Sequence, residues 1–206
     1  MTPVLDLLLD SCDRVVPLLR SQVLAHTWEV PSALAGWTNG GLAGHLARSA
    51  FNLERALDRV PDGDAGTDVV GYYAATDRDE AASPVGRRIR ELGDQEAARG
   101  PVVLADRFVA SVAAIRMRAP GPGTRVELFG RPMTVADCAA ACLLELVVHT
   151  DDLAVSLAVT PPGFRPEAVD VVVTALARIA VRRHGTAAVV RALARSERAP
   201  ATISAF

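Results

Sequence analysis

Apolar residues recur at helical spacing along most of the chain, and only one short segment alternates like a strand. Leucines and valines at 5, 8, 9, 15, 16 and 19 would share one face of a first helix. Thr38 or Asn39 can cap a second helix, which runs to about Val60. The segment PDGDAG at 61–66 then predicts a loop.

The middle of the chain predicts three further helices. The first is polar and covers about 76–82, the second is arginine-rich and covers 85 to about 99, and the third is amphipathic and ends by Met117. Pro84 and Pro101 stand at the breaks. Since proline lacks the N–H that a helix interior needs, each break is expected to separate two helices.

The next part of the chain contains a run that breaks helices and a signal that caps the start of a helix. The run APGPG at 119–123 interrupts helical sequence, and RVELFGRPM after it predicts two short strands around Gly130. Thr134 and Asp137 have the spacing of a helix capping box. They predict the start of a long apolar helix that continues to about Val159.

The tail from 166 to about 195 predicts two more helices that break near Gly185. Four principal helices with polar connections, and almost no strand signal elsewhere, predict an all-α fold. We expect a four-helix bundle with a short β-hairpin and additional C-terminal helices.

Composition narrows the classes of function. Half of the 206 residues are hydrophobic and the formal net charge is −2, so nothing favours nucleic acid or a membrane as partner. The odd set Cys12, Cys138 and Cys142 forms no disulfide framework, which is typical of the reducing cytoplasm. Asp6 and Asp10 interrupt the first apolar stretch, which therefore does not look like a signal peptide.

Candidate chemistry lies in the long apolar helix. Glu145 and His149 are separated by four residues, so their side chains would lie on one helical face. A carboxylate inside the apolar run is costly to bury unless it is paired or binds a metal. The pair alone is also common on solvated helix faces, so a third ligand is needed to favour a metal site.

His45, on the core side of the second helix, is the third candidate ligand. A single histidine at such a position is usually a core residue with a hydrogen-bond partner. Two His and one Glu from different helices, however, form a known zinc ligand set that leaves one coordination position open. A metal there would acidify either a water molecule or a thiol.

Two segments resemble the mycothiol-dependent maleylpyruvate isomerases, which belong to the DinB-like superfamily of metal-binding bundles. LAGWTNGGLAGHLAR at 34–48 is similar to their GWT and HL/VA signature, and LELVVHTDDL at 144–153 to their E-x-x-x-H-x-x-D-L segment. The resemblance implies that His45, Glu145 and His149 bind zinc.

The same resemblance implies a catalytic arginine in the polar stretch after the second helix. The local sequence ATDRDEA nominates Arg78, which would hold a substrate carboxylate. Arg87, Arg88 and Arg90 are rivals on a helix face that is otherwise expected to be solvated.

The resemblance covers about residues 1–160, and the tail does not match the larger C-terminal domain of the full isomerases. We therefore expect a DinB-like metal-binding bundle at 1–160 and a small helical extension at 161–206 that packs on it. All 22 basic residues are arginine, which is typical of a GC-rich genome and agrees with an actinobacterial, mycothiol-producing source.

The resemblance implies a cytoplasmic, zinc- and mycothiol-dependent transferase or isomerase acting on a small electrophile. The alternatives are a metal-stabilised binding or sensor protein without turnover, and a metal-assisted hydrolase. A di-iron bundle would need further carboxylates and a second Glu–His pair, which the chain lacks.

Other residues near the expected metal have less defined roles. Asn52, two turns after His45, could face the pocket, and Asp152 could either orient a ligand from outside the metal shell or be a surface charge at the helix end. Cys142 is an alternative ligand, although cysteine in an Ala-rich helix is usually a small core residue. Tyr72 and Tyr73 could line the mouth of the pocket, although no spacing rule supports this.

Overall fold

The computed structural model describes residues 3–59, 61–64, 66–74 and 83–205. Within these ranges, the regular elements are mostly helices, with one antiparallel hairpin. The helices are α1 (Pro3–Leu19), α2 (Gln22–His26), α3 (Asn39–Ala56), α4 (Val69–Ala74), α5 (Pro84–Ala97), α6 (Pro101–Arg118), α7 (Val135–Ser156), α8 (Pro166–His184) and α9 (Thr186–Ala194). The strands are β1 (Arg125–Leu128) and β2 (Arg131–Thr134).

Four long helices enclose the core. α1 and α3 each pack against both α6 and α7, so the four helices form a bundle around one apolar interior. Leu8, Leu46, Phe108 and Leu143 represent the four helices in that core, and all four side chains are fully buried. The predicted all-α fold with a short hairpin and additional C-terminal helices is confirmed.

Helix starts follow the predicted caps. The Thr38 hydroxyl accepts a hydrogen bond from the Gly41 N–H at 2.9 Å at the start of α3, and Thr134 accepts from the Asp137 N–H at 3.1 Å at the start of α7. Each bond satisfies an N–H that has no partner within the helix. α3 ends at Ala56, a few residues earlier than predicted, and its C-terminal cap falls at Leu57.

The hairpin and the C-terminal helices lie against the bundle. β1 and β2 are joined by Phe129 and Gly130, both at positive φ, as a two-residue hairpin turn of type I′ requires. The hairpin packs against α3 and α7. α8 packs against α1, α4 and α7, and the break between α8 and α9 falls at Gly185, as predicted.

Two short helices, α2 and α4, were not expected from the periodicity of the chain. Neither is long enough to show a repeating apolar face. The polar helix predicted at 76–82 lies outside the described residues. In the part of the chain that the structure covers, no helix combines the length and apolarity needed to cross a membrane.

Helices α3 and α5 approach each other unusually closely beside the site described next. A Cβ atom on Gly44 would overlap the backbone carbonyl oxygen of Gly93, and one on Gly93 would lie 2.6 Å from the carbonyl oxygen of Gly41. Only glycine allows the two backbones to come this near. The contact lies next to His45, whose Cβ would be 3.2 Å from a Cβ on Gly93.

Candidate metal centre

Three side chains from two core helices converge between α3 and α7. His45 Nε2 lies 3.1 Å from His149 Nε2 and 3.3 Å from Glu145 Oε2, and the last two atoms lie 3.1 Å apart. The three side chains are 12%, 18% and 20% exposed for His45, His149 and Glu145. Three donor atoms therefore form a nearly equilateral triangle that solvent can still reach.

The helices explain this convergence. Glu145 and His149 lie one turn apart on α7, and the neighbouring positions Leu143, Leu144 and Leu146 are buried in the core. α7 packs directly against α3, which supplies His45 from its middle. Because all three residues lie on two helices that pack against each other, the packing of the bundle core determines the positions of the three donor atoms.

Two further side chains hold the donors in place. Asp152 Oδ2 lies 2.9 Å from His149 Nδ1, so the carboxylate accepts a hydrogen bond from the Nδ1–H group. His149 Nε2 then faces the triangle. The Tyr73 hydroxyl donates to Glu145 Oε1 at 2.7 Å, which leaves Oε2 for the triangle. The Trp37 ring lies against His45, with ring centroids 5.0 Å apart.

The cluster attracts positive charge. Burial opposes protonation of His149, but hydrogen bonds to Asp152 and Glu145 outweigh it and raise the pKa of His149 to about 9. Burial lowers the pKa of His45, and the hydrogen bond to Glu145 offsets this only in part. Lone pairs from two imidazoles and a carboxylate face one another, so a proton or a metal cation must lie among them.

The donors fit a small tetrahedral metal ion. Bonds of about 2.0–2.1 Å to His nitrogen and carboxylate oxygen give a tetrahedron with edges of about 3.3 Å. The three distances of 3.1–3.3 Å are close to that edge. Two imidazoles and one carboxylate are a usual catalytic zinc ligand set, in which the fourth position remains open. His45, Glu145 and His149 could hold such an ion without rearranging.

A cavity of about 480 Å³ opens directly onto this cluster, because His45 and Glu145 form part of its wall. Apolar side chains from α5 and the hairpin line much of its wall, together with polar groups from α3 and β2 and with side chains from α4 and α7. The apolar members from α5 and the hairpin are Pro84, Val85, Ile89, Leu92, Leu128 and Phe129. The polar members from α3 and β2 are Arg48, Ser49, Asn52 and Arg131.

The structure places the predicted site residues as follows. His45, Glu145 and His149 meet, Asp152 contacts His149, and Asn52 lies in the cavity wall. Arg78 lies outside the described residues.

Of the three rival arginines, Arg88 lines the cavity, and Cys142, the alternative ligand, lies there too. Arg88 reaches the cavity but is exposed and pairs with Glu91 at 3.2 Å. Cys142 is buried in the cavity wall on the same helix as Glu145, and a hydrogen bond with Cys138, together with burial, raises the pKa of its thiol well above the usual range. Cys142 is not part of the group of donor atoms that His45, Glu145 and His149 form among the described residues.

Sequence reasoning did not assign the roles of Tyr73, Arg48 and Ser49. Tyr73 comes from α4, which no periodic pattern predicted, so nothing in the sequence connected it with Glu145. Arg48 and Ser49 follow His45 by three and four residues. That spacing puts them on the face of α3 that carries the histidine and could have identified them.

The fold and the cluster define a class: a helical bundle with a candidate metal centre between two core helices, open to a cavity. Residues 8–154 match the mycothiol maleylpyruvate isomerase N-terminal domain, and the chain belongs to that family. The match includes α3, most of α7 and all three cluster residues but not α8 and α9. No curated protein and no solved structure gave a significant match.

Proposed function

We propose that this protein is a zinc-dependent, mycothiol-using transferase or isomerase that acts on a small electrophilic substrate. The observation that carries the proposal is the His45–Glu145–His149 triangle at the wall of a cavity of about 480 Å³. Membership in a family named for mycothiol supports a low-molecular-weight thiol as the cosubstrate.

Some residues of the site would bind the metal, and others would orient those ligands. His45, Glu145 and His149 would hold a zinc ion, which when bound lowers the pKa of a thiol placed beside it. Asp152 keeps the proton of His149 on Nδ1, and Tyr73 orients Glu145. These contacts keep the ligand set in one geometry.

The cavity supplies the second half of the chemistry. Its apolar wall would exclude water, so that a thiol sulfur adds to an electrophilic carbon in preference to hydroxide. In a transfer reaction the new C–S bond remains, and the displaced electron pair either takes up the proton released by the thiol or departs with a leaving group of the substrate. In an isomerisation, addition to a cis double bond allows rotation, and elimination then releases the thiol and the trans product. Arg78 is retained as the proposed catalytic residue that holds a substrate carboxylate.

The proposal also covers the organisation and location of the chain. We propose that residues 1–160 form the metal-binding bundle and that 161–206 form a small extension packed on it. α8 supports this, since Ala168, Val172 and Ile179 are buried. Deleting 161–206 should then leave a destabilised bundle that still binds zinc.

Three free cysteines support a reducing, cytoplasmic location.

Metal analysis tests the site. The wild type should purify with about one zinc per chain, and His45→Ala should lose most of it. His26→Ala is the matched control, because His26 is exposed and outside the cluster. Unchanged metal content in His45→Ala would remove this ligand and the proposed centre.

Thiol consumption tests the reaction. The zinc-loaded protein is incubated with mycothiol and a panel of electrophiles, and thiol and product are followed by mass spectrometry. Formation of an adduct or a trans isomer only when thiol is present supports the proposal. Product formed without thiol would indicate hydrolysis, and ligand-dependent stabilisation without product would indicate a sensor; either result overturns the proposal.

A further inference from the structure

The turn of the hairpin holds an aromatic residue in an unfavourable backbone conformation. Phe129 has a φ of +50° and is 55% exposed. A bulky side chain rarely adopts left-handed backbone, and asparagine or glycine is usual at this position of a type I′ turn. Because more than half of the residue is exposed, burial of its ring offsets this cost only in part. Strained residues of this kind cluster at functional sites, so the position of the ring matters.

A second cavity, of about 400 Å³, adjoins the one at the metal centre. We call the cavity that contains His45 and Glu145 in its wall the inner cavity, and the second one the outer cavity. The residues that line both are Arg48, Asn52, Arg88, Leu92, Leu128 and Phe129. The remaining wall of the outer cavity is formed by Arg55, Ala56, Arg59 and Glu127.

The two cavities favour different chemical groups. The inner cavity has a mainly apolar wall from α5 and the hairpin, whereas four arginines line the outer cavity. Arg55 and Arg59 each contact a carboxylate there, and their side chains are 48% and 63% exposed. A guanidinium offers several N–H donors and no acceptor. The outer cavity therefore favours ligand groups rich in acceptor oxygens.

The Phe129 ring lies at the boundary between the two cavities. Arg48 and Phe129 line both of them, and the Arg48 Cζ atom lies 5.8 Å from the centre of the Phe129 ring. Two side chains that line both spaces and contact each other lie where the spaces meet. Arg48 is buried and pairs with Glu96, so it is the fixed member of this contact. Phe129 is the exposed member, at the tip of the hairpin.

We propose that Phe129 is a specificity-determining residue, whose ring closes the inner cavity toward the outer one. A ligand at the metal centre then does not extend into the outer cavity, so the site favours compact electrophiles over those with a long, acceptor-rich substituent. This inference rests on the proposed function, because it limits the substrate of that site. Asparagine at this position would suit the turn better but would leave the boundary open.

Two neutral probes test the boundary: benzyl alcohol, and benzyl alcohol with a triethylene glycol chain on its para carbon. Titration calorimetry on the zinc-loaded protein gives the affinity of each. In wild type the chain should add no affinity. Phe129→Asn should raise the ratio of long-probe to short-probe affinity about 10-fold, because ether oxygens then reach the arginine donors. Phe129→Tyr keeps a ring and should keep the wild-type ratio.

Thermal unfolding supplies a readout that a merely structural role would move the other way. Phe129→Asn creates an Asn-Gly turn, which suits the positive φ angles, so the melting temperature should rise by about 2–4 °C. A raised affinity ratio with an equal or higher melting temperature supports the proposal. An unchanged ratio, or a lower melting temperature, overturns it.

Val85→Ala is the matched control, because Val85 is an exposed apolar residue that lines the inner of the two cavities and not the outer. It widens the inner cavity without opening the boundary and should keep the wild-type ratio. Arg59 lines the outer cavity and not the inner. Arg59→Gln combined with Phe129→Asn should therefore remove part of the gain. A gain as large in Val85→Ala, or one that ignores Arg59, contradicts the proposal.

Repeating the titrations in a His149→Ala background separates this proposal from the proposed function. A higher ratio in Phe129→Asn that persists without metal supports the boundary, whether or not zinc chemistry occurs. If the increase requires zinc, the ether oxygens bind the ion itself. That result overturns the role of Phe129 and leaves the zinc centre standing.

Discussion

At the scale of single residues, the candidate metal centre depends on side chains that hold its donors in place. Tyr73 is buried and donates to Glu145 Oε1, and Asp152 accepts from His149 Nδ1. Loss of such outer contacts typically weakens metal binding about 10- to 100-fold. Mutating Tyr73 or Asp152 should therefore weaken metal binding although all three ligands are still present.

Tyr73→Phe should weaken zinc binding about 10-fold, because Glu145 loses the hydrogen bond that fixes its orientation. Competition with a chromophoric chelator measures the affinity. Tyr72→Phe is the matched control, since Tyr72 is buried in the same cavity wall and the hydrogen bond to Glu145 comes from Tyr73. Equal zinc affinities for wild type and Tyr73→Phe would show that the hydroxyl has no positioning role.

A site residue could be identified from the sequence where its chemistry or its spacing was unusual for its surroundings. Glu145 and His149 stand out because a carboxylate in an apolar helix needs a partner, and the structure brings them to His45. Tyr73 carries no such signal, because a tyrosine is ordinary in any element and its contact with Glu145 depends on where α4 lies in three dimensions. Arg48 differs, since its spacing of three residues after His45 places it on the same face of α3.

At the scale of elements, the junction between α3 and α5 sets the position of His45. Gly44→Ala places a methyl group against the carbonyl oxygen of Gly93, which is backbone and cannot rotate away. We expect a loss of about 1–3 kcal/mol in the free energy of unfolding, the usual range for overpacking, and weaker zinc binding because α3 and α5 separate.

Urea denaturation and chelator competition measure these two effects. Gly123→Ala is the control, because a Cβ atom there meets nothing within 4 Å and Gly123 is in a loop. A Gly44→Ala variant as stable as this control would mean that α5 can shift without strain.

Glu96 joins three helices, since it comes from α5 and pairs with Arg55 on α3 and Arg107 on α6. Burial alone would raise the pKa of Glu96, but Arg55 and then Arg107 outweigh it and lower the pKa below 4.5. A lowered folded-state pKa means that the stabilisation is complete above about pH 4.5 and is lost as the pH falls through the folded value.

Glu96→Gln should therefore cost about 1 kcal/mol at pH 7, a modest value because Arg55 and Arg107 are partly exposed. The difference from wild type should shrink as the pH falls through the lowered pKa of Glu96, because the carboxyl group is then protonated. Urea denaturation across this range measures it. A difference that does not change with pH would show that the carboxylate charge contributes nothing.

Element-level prediction from sequence worked where the signal repeats over several turns. The long helices and the caps at Thr38 and Thr134 were predicted from apolar periodicity and side-chain chemistry, and the structure confirms them. α2 and α4 have five and six residues, too short for a repeating face. Their formation depends on packing against the rest of the molecule, which a local pattern does not contain.

At the scale of the whole molecule, zinc should stabilise the fold through the same contacts that bind it. The ligands come from α3 and α7, which belong to the same core, so the unfolded chain cannot present the complete set. A ligand that binds only the folded state at 100 times its dissociation constant adds about 2.7 kcal/mol. Zinc in that excess should therefore raise the melting temperature by several degrees.

Thermal unfolding with increasing zinc, after removal of bound metal, measures this linkage. His149→Ala should show little or no rise, whereas His184→Ala, which lies on α8 outside the cluster, should respond like wild type. Equal stabilisation of His149→Ala would place the bound zinc elsewhere on the chain. Since the ligands come from two helices, a wild-type response would show that zinc binds the folded chain, in which α3 packs on α7, more tightly than the unfolded one.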